Sequence, residues 1–375
     1  MALFGSPTAY IGVDIGTSTS KIVELLDRKH RIELVTYVES NMKNLLVNPP
    51  NGNQDAIDRT ADALHQMMER AGVLSTSAVA ALPGGAVFST VLMLPNIPES
   101  EMEKAVRFAA RDVIPADIDE MVLGWSRVGS ESHMTTDIAQ TNQPIPEEKL
   151  AEKPTLEKQE GPVPVFITAA PKDVVDRYIA VFEKLKITLL SLEVETFSLA
   201  RSLMSSPAKP TLVTDLGSRA TTFHIIDGGI PRVSHTIDFG GYDLTHNLAQ
   251  AIGVEEKEAE EMKNTLGISG QQQERVRGNI EGLIKRQIEK AKDLLTLYEQ
   301  KESKRISRSI LIGGGANLLG LPEYWSKELN MQTTIGDPWK GLAYPAKAEG
   351  VLKNIGSRFG VAVGLALRGF THIPQ

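Results

Sequence analysis

The chain has no cysteine among its 375 residues. Disulfides and thiolate-held metals are therefore excluded, which suits a reducing compartment. Excess positive charge is missing too. The formal net charge is −7, whereas nucleic-acid and anionic-membrane binders present a basic face. No apolar run approaches the roughly 18 residues of a membrane span. The opening MALFGSPTAYIGVDIG lacks a basic n-region and meets Asp14 too early for a secretory signal. The 7 histidines are scattered without metal-ligand spacing, and sequence order supports no Ser-His-Asp arrangement. What remains is an ordinary globular composition, 41% hydrophobic and 23% charged, in a chain long enough for about two domains. The expectation is a cytoplasmic protein.

Two short stretches carry chemistry. IGVDIGTS at 11–18 places an aspartate in an apolar run and follows it with glycine and two hydroxyls. A buried strand has no use for a lone carboxylate unless something pairs with it. LVTDLGS at 212–218 repeats the pattern, with Asp14 matching Asp215, Gly16 matching Gly217 and Thr17 matching Ser218. Apolar strands precede both turns, and KIVELL or TTFHII follows them, then RIELVTYV or RVSHTI. A period of about two hundred residues is too long for a solenoid and predicts a duplicated domain with two facing halves.

Each hairpin has the makings of a phosphate cradle. Glycine admits a ligand close to the backbone, and turn N–H groups and hydroxyls meet phosphate oxygens. The aspartate cannot bind phosphate, but it can hold magnesium through water. Two hairpins from opposed domains would clamp a nucleoside triphosphate. The bland alternative is a pair of ordinary turns in which Asp and Gly supply only geometry.

A third glycine cluster, Gly313, Gly314 and Gly315 in ILIGGGANLLGLPEYWSKEL, follows a short apolar strand. It offers a flat surface for an adenosine, or simply a strand-to-helix turn. GSRFGVAVGLALRGF at 356–370 has Gly360, Ala362 and Gly364 at helical spacing, which fits close helix packing as well as a ligand contact.

In chain order these elements resemble the actin-like ATPase superfamily. IGVDIGTSTSK resembles its first phosphate loop, LVTDLGSRATT the second and LIGGGANLLGLPE the adenosine motif; SLEVETFSLARSL and FGVAVGLALRG stand where its two connecting helices belong. Within that superfamily, DFGGYDLTHNLAQAIGVEEKEAEEMKNTLG resembles a segment shared by FtsA and PilM, and VLMLPNIPESEMEKAVRFAARDVIPADIDEMVLGW resembles the inserted subdomain of PilM. The chain thus resembles the PilM family of type IV pilus assembly proteins, relatives of FtsA.

That resemblance implies an α/β actin-like ATPase fold: two duplicated lobes around a nucleotide cleft, with an FtsA/PilM-type inserted subdomain. It implies ATP and Mg2+ as cofactors, with Asp14 and Asp215 on the metal side, mainly through water. Gly16, Thr17, Ser18, Gly217, Ser218, Gly240 and Gly241 are the implied loop contacts, and Gly313, Gly314 and Gly315 the adenosine surface. Lys21 is either a phosphate neutraliser or a residue of an exposed strand. Glu260 and Lys263 resemble ribose or base contacts, though three apart on a helix they also suit a surface ion pair. Glu195, with Glu193 second, is the candidate for orienting water. The resemblance implies binding and at most slow hydrolysis. The implied partner is the cytoplasmic tail of a PilN-like membrane protein, with pilus motor or platform components beyond it. Self-association stays open, and neither nucleic-acid binding nor direct membrane insertion is expected. The protein would sit peripherally at the cytoplasmic face of the inner membrane. An FtsA-like division filament protein and a sugar or metabolite kinase are the alternatives. FtsA-type proteins continue to an amphipathic membrane helix, whereas only THIPQ follows Phe370 here.

The expected path has a first lobe at 1–83, rejoined by 188–209 and 351–375, an inserted subdomain at 84–187 and a second lobe at 210–350. Helices are expected over 55–72, from Ser100 as a cap with Glu103 three residues on, over 171–186 and over about 272–302. The polar, proline-bearing stretch 129–164 is expected as a mobile loop.

Overall fold

The computed structural model describes residues 8–29, 31–127, 161–204, 209–268 and 274–370. The first aspartate-bearing stretch forms β1 (Ala9–Ile15), which turns back into β2 (Ser20–Arg28) and β3 (Arg31–Ser40). The Gly16 N–H closes the first turn on the Thr19 carbonyl at 3.1 Å. Helix α1 (Asn53–Ala71) buries Ala56, Ala61, Leu64, Met67 and Met68 along one face, and Gly72, at φ 63°, stops it in the left-handed conformation. Strand β4 (Ser77–Leu82) then joins β1 in parallel.

Next come β5 (Phe88–Leu94), α2 (Glu99–Ala110), β6 (Met121–Arg127), β7 (Val163–Pro171) and α3 (Lys172–Leu185). The three strands make a small antiparallel sheet with β7 central. Ser100 does not cap α2. The helix opens behind Pro98, whose carbonyl accepts the Glu101 N–H at 2.9 Å, so Ser100 lies inside the first turn. Most of the expected loop 129–164 lies outside the described residues, but Val163 and Pro164 already belong to β7, paired with Leu94 and Met93. Pro171 is the N-cap of α3 rather than its first residue. The apolar face of α3, including Val174, Tyr178 and Phe182, packs into the core that contains Ile11, Val13 and Leu64. By packing, α3 therefore belongs to the first sheet, although it lies in the stretch expected as an insertion.

Strand β8 (Thr188–Val194) completes the first sheet in the order β3-β2-β1-β4-β8 and leads straight into α4 (Glu195–Leu203). The second aspartate-bearing stretch repeats the plan with β9 (Thr211–Leu216), β10 (Thr221–Asp227) and β11 (Ile230–Ile237). Helices α5 (Gly241–Ile252), α6 (Glu256–Leu266) and α7 (Glu274–Glu302) lead to β12 (Arg308–Ile312), parallel to β9. Then come α8 (Leu321–Leu329) and β13 (Gln332–Ile335). The order β11-β10-β9-β12-β13 matches the first sheet strand for strand. Every apolar residue on the i, i+3, i+4 stripe of α7, from Val276 to Tyr298, is buried in the core of this half.

Helices α9 (Glu349–Ile355) and α10 (Gly360–Phe370) follow. α4 and α10 join the halves: Leu199, Ala200, Val361 and Leu365 pack with Val79 and Ala81 of the first sheet and Val213, Ile226 and Ile310 of the second. The approach is backbone-close. A Cβ on Gly364 would stand 1.9 Å from the Ser198 carbonyl oxygen, and one on Gly12 would stand 2.0 Å from that of Ala362. Residues 339–344, within the stretch expected for the second lobe, lie on the first sheet's edge. Ala343 exchanges hydrogen bonds with Ile32 and Leu34, and Trp339 packs against Val23, Leu25 and Phe359.

Candidate functional site

Asp14 and Asp215 occupy matching places near the ends of β1 and β9. Asp14 lies opposite Lys21 of β2; Asp215 lies opposite Thr222 of β10 and beside Ile312 of β12. The Lys21 Nζ stands 3.6 Å from Asp14 Oδ2, with only 12% of its side chain exposed. Lys21 is thus a cleft residue and not part of an exposed strand. Glu195 opens α4, and its Oε2 accepts the Gly84 N–H at 3.3 Å.

These three carboxylates feel one another. Burial raises the Asp14 pKa, with Lys21 opposing it. Burial likewise lifts Asp215 to about 6, with Lys21 pulling it down and the Asp14 charge pushing it up. Glu195 rises furthest, to about 8, through burial and then the charges of Asp14 and Asp215, against the Gly84 N–H and Lys21. Two facing hairpins and the start of a connecting helix therefore share one electrostatic site. Glu193, the second choice for orienting water, is engaged elsewhere. It accepts from Arg201 at 2.8 Å, while Arg201 also donates to the Gly364 carbonyl at 2.6 Å. Its strand position turns it to the contact between α4 and α10.

The second turn closes through Gly217 N–H to the Ala220 carbonyl at 3.0 Å. The N–H groups of Gly241 and Tyr242 reach the Gly217 and Ser218 carbonyls at 2.9 and 2.8 Å. A Cβ on Gly240 would stand 2.5 Å from the Ser218 carbonyl oxygen, so only glycine permits this stitching. Gly313, at φ 83°, lies against Asp215, where a Cβ would stand 2.4 Å from Oδ1. Gly315 crowds Leu216, while Gly314 is exposed with open space around it. Gly240, Gly241, Gly313 and Gly315 therefore converge on the second hairpin. In the first hairpin Gly16 closes the turn, Thr17 is exposed and Ser18 half-buried.

Lys263 and Glu260 do form an ion pair, at 2.6 Å, yet not an ordinary surface one. Lys263 is buried and also donates to the Gly241 carbonyl at 3.0 Å and to Thr245 Oγ1 at 2.8 Å. It braces the turn that Gly240 and Gly241 make against the second hairpin.

Several residues here were not singled out from the sequence. The Asn44 N–H donates to the Gly16 carbonyl at 3.1 Å, and its side-chain amide donates to the Ile15 carbonyl and to Tyr178 Oη, both at 2.9 Å. Burial raises the pKa of the Tyr178 phenol, and the charges of Glu195 and Asp14 raise it further. Thr222 and Thr236 share a hydrogen bond at 3.1 Å, and Thr236 lies near Gly84 beside the Glu195 carboxylate. The Arg219 guanidinium stacks on the Tyr242 ring at 3.8 Å. Asn44 and Tyr178 are joined only by tertiary folding. Arg219 does follow Ser218 directly in the turn motif, and its charge was the available clue.

The donor chemistry suits a cation. Among the described residues no three His, Cys, Asp or Glu side chains cluster closely enough to ligate one ion directly. A divalent ion fits here only with water completing its shell. It would offset the burial that chiefly lifts the Asp215 and Glu195 pKa values, and the neighbouring carboxylate charges that add to it.

Two sheets of one strand order, each opening on an Asp-x-Gly hairpin and joined by two closely packed helices, define an actin-like ATPase fold. A chain of a PilM–PilN type IV pilus biogenesis complex is 24% identical, with 96% of this chain and 98% of that chain covered at a TM-score of 0.77. The ethanolamine utilization protein EutJ from Carboxydothermus hydrogenoformans is 15% identical, covering 96% and 90% at a TM-score of 0.54. MreB 5 of Spiroplasma citri, in a structure bound to AMPPNP, is 13% identical, covering 97% and 96% at a TM-score of 0.50. Residues 12–141 and 152–370 match the family of type IV pilus assembly protein PilM, and the chain belongs to that family. The division-filament and small-molecule kinase readings are not favoured by this match.

Proposed function

We propose that this protein is an ATP-binding scaffold of type IV pilus assembly that docks the cytoplasmic tail of a PilN-like membrane protein and links it to the assembly machinery. The observation that carries the nucleotide part is the meeting of Asp14, Asp215 and Glu195 at one cleft, under the opposing charge of Lys21. Bound Mg2+ would supply charge neutralisation for a phosphate chain, held through water by Asp14 and Asp215. Gly16, Thr17, Ser18, Gly217 and Ser218 offer turn N–H groups and hydroxyls to the phosphates. Gly313, Gly314 and Gly315 offer the adenosine surface, and Glu260 and Lys263 its edge. Glu195 would be the residue that orients water. In this reading the chain binds nucleotide and turns it over at most slowly.

The docking part is supported by the segment 92–115. It combines the end of β5 with α2, and it carries three exposed apolar side chains, Met93 at 62%, Phe108 at 74% and Val113 at 37%. Side chains this large and apolar, gathered on one small subdomain, suit an extended peptide with apolar anchors. No helix among the described residues is long and apolar enough to cross a membrane. A peripheral place at the cytoplasmic face of the inner membrane, reached through the partner, follows from this reading. Beyond the tail, pilus motor or platform components are the next contacts to expect.

The test is a pull-down from detergent-solubilised host membranes with Mg-ATP, run beside a Phe108→Asp variant. The reading expects a small single-span protein with a short cytoplasmic tail, captured with pilus components and lost with the variant. Capture of division proteins, or of no membrane protein, overturns it.

A further inference from the structure

Phosphate chains need positive charge, and the cations near the two turns differ in how free they are. Lys21 is committed to Asp14. Lys263 spends its three donors on Gly241, Thr245 and Glu260. Arg219, in the middle of the Gly217–Ala220 turn, is different. Among the described residues, no hydrogen-bond acceptor or carboxylate engages its guanidinium, and its one such contact is the face of the Tyr242 ring.

That ring is itself fixed. The Tyr242 N–H is bonded to the Ser218 carbonyl at 2.8 Å. Its ring stacks on His246 with centroids 5.9 Å apart and planes 13° from parallel. His246 Nδ1 is 2.7 Å from Glu256, and His246 Nε2 is 2.9 Å from Gln250. A guanidinium stacked on an aromatic face keeps its N–H edge open, and that edge matches a phosphate geometrically. The stack therefore lowers the entropy of an otherwise floppy side chain without using its donors. It does so at the turn that follows Asp215, whose charge opposes a phosphate unless cations offset it.

We propose that Arg219 is a phosphate-contacting residue of this cleft, held ready on the Tyr242 ring to meet the phosphate chain of a nucleoside triphosphate. The proposal rests on the nucleotide-binding reading above and adds a side-chain contact to the glycine and hydroxyl contacts of the second turn.

The test is calorimetric titration of the full chain with Mg-ATP and Mg-ADP, comparing the parent with Arg219→Ala, Arg219→Lys, Tyr242→Phe and Tyr242→Leu. Arg219 is exposed, so its variants should fold, and a thermal melt verifies this. Arg219→Ala is expected to weaken Mg-ATP binding at least about tenfold, and Mg-ADP less. Arg219→Lys recovers only part of this, because an ammonium cannot both stack and fork. Tyr242→Phe keeps parental affinity, while Tyr242→Leu loses about threefold. Parental binding of both nucleotides with Arg219→Ala within twofold of it overturns this proposal alone. A parent that binds neither nucleotide overturns the nucleotide reading, and this proposal with it.

Discussion

The two hairpins share one motif and are braced in opposite ways. The first is tied from outside its own strands. Asn44 bonds to the Ile15 and Gly16 carbonyls and to Tyr178 of α3, while Arg177 of the same helix donates to the Leu46 carbonyl at 2.6 Å and also reaches Val47. The second is tied within its own half, by the N–H groups of Gly241 and Tyr242 and by Lys263 behind them. The strands beneath differ as well. Gly12, two residues before Asp14, lets α10 lie directly on β1, whereas the matching Val213 fills the core between the sheets. Duplication kept the chemistry-bearing positions and let the supports diverge. A disturbance at the first turn is thus passed to α3 and the small sheet, and one at the second turn to α5 and α6.

The sharpest break of this comparison is at the strand position two residues before each aspartate. Gly12→Val is expected to cost more than about 3 kcal/mol, because its Cβ meets backbone that cannot move without displacing α10. Val213→Ala at the matching place should cost about 2 kcal/mol by leaving a small cavity. Urea unfolding of both variants measures the difference; equal costs would remove the asymmetry.

The braces come next. Lys263→Met removes one donor from three acceptors and should cost about 2 kcal/mol, with faster amide exchange confined to α5, α6 and the Gly217–Ala220 turn. Exchange that also speeds up around Gly16 would merge the two braces.

Glu195 links the hairpins electrostatically, and its effect has a definite sign. Its folded pKa, about 8, lies above the ordinary value of 4.5. The native state therefore holds the proton more tightly, and stability falls as pH rises from 4.5 to 8. Glu195→Gln should flatten that slope and stabilise the protein by about 1–2 kcal/mol at pH 8. Asp14→Asn should shift the same slope to lower pH, since the Asp14 charge helps raise Glu195. Thermal melts across this range measure both; an unchanged slope in Glu195→Gln would mean that burial does not raise Glu195, and one in Asp14→Asn that the carboxylates do not share a site.

The smallest effect expected is that of Tyr178→Phe, about 1 kcal/mol for one lost hydrogen bond. Its amide-exchange signature should fall on α3 and the segment around Asn44, leaving α5 and α6 untouched.

Much of this was legible before folding. The two Asp-x-Gly turns declare themselves because each interrupts a β-branched apolar run, and their spacing implies a duplicated domain with two halves. The apolar stripe of α7 is long enough for its period to be unmistakable. What was hidden depends on contacts distant in sequence. Asn44 reads as an ordinary loop residue until Tyr178, far along the chain, meets it. Lys21 looked as well suited to an exposed strand as to the cleft, because a strand's period does not say which face is covered. Ser100 had the right spacing for a cap, but the fixed dihedral of Pro98 opened the helix first. Trp339 and Ala343 are held on the first sheet by contacts distant in sequence, and no local signal in their stretch separates the two halves.

The most direct test of one site built from two hairpins is calorimetric titration of the full chain with ATP, with and without Mg2+, alongside Asp215→Asn. The account predicts one nucleotide bound per chain with Mg2+, and binding at least about tenfold weaker without the ion or with the substitution. Failure to bind ATP, or binding indifferent to both changes, would contradict it.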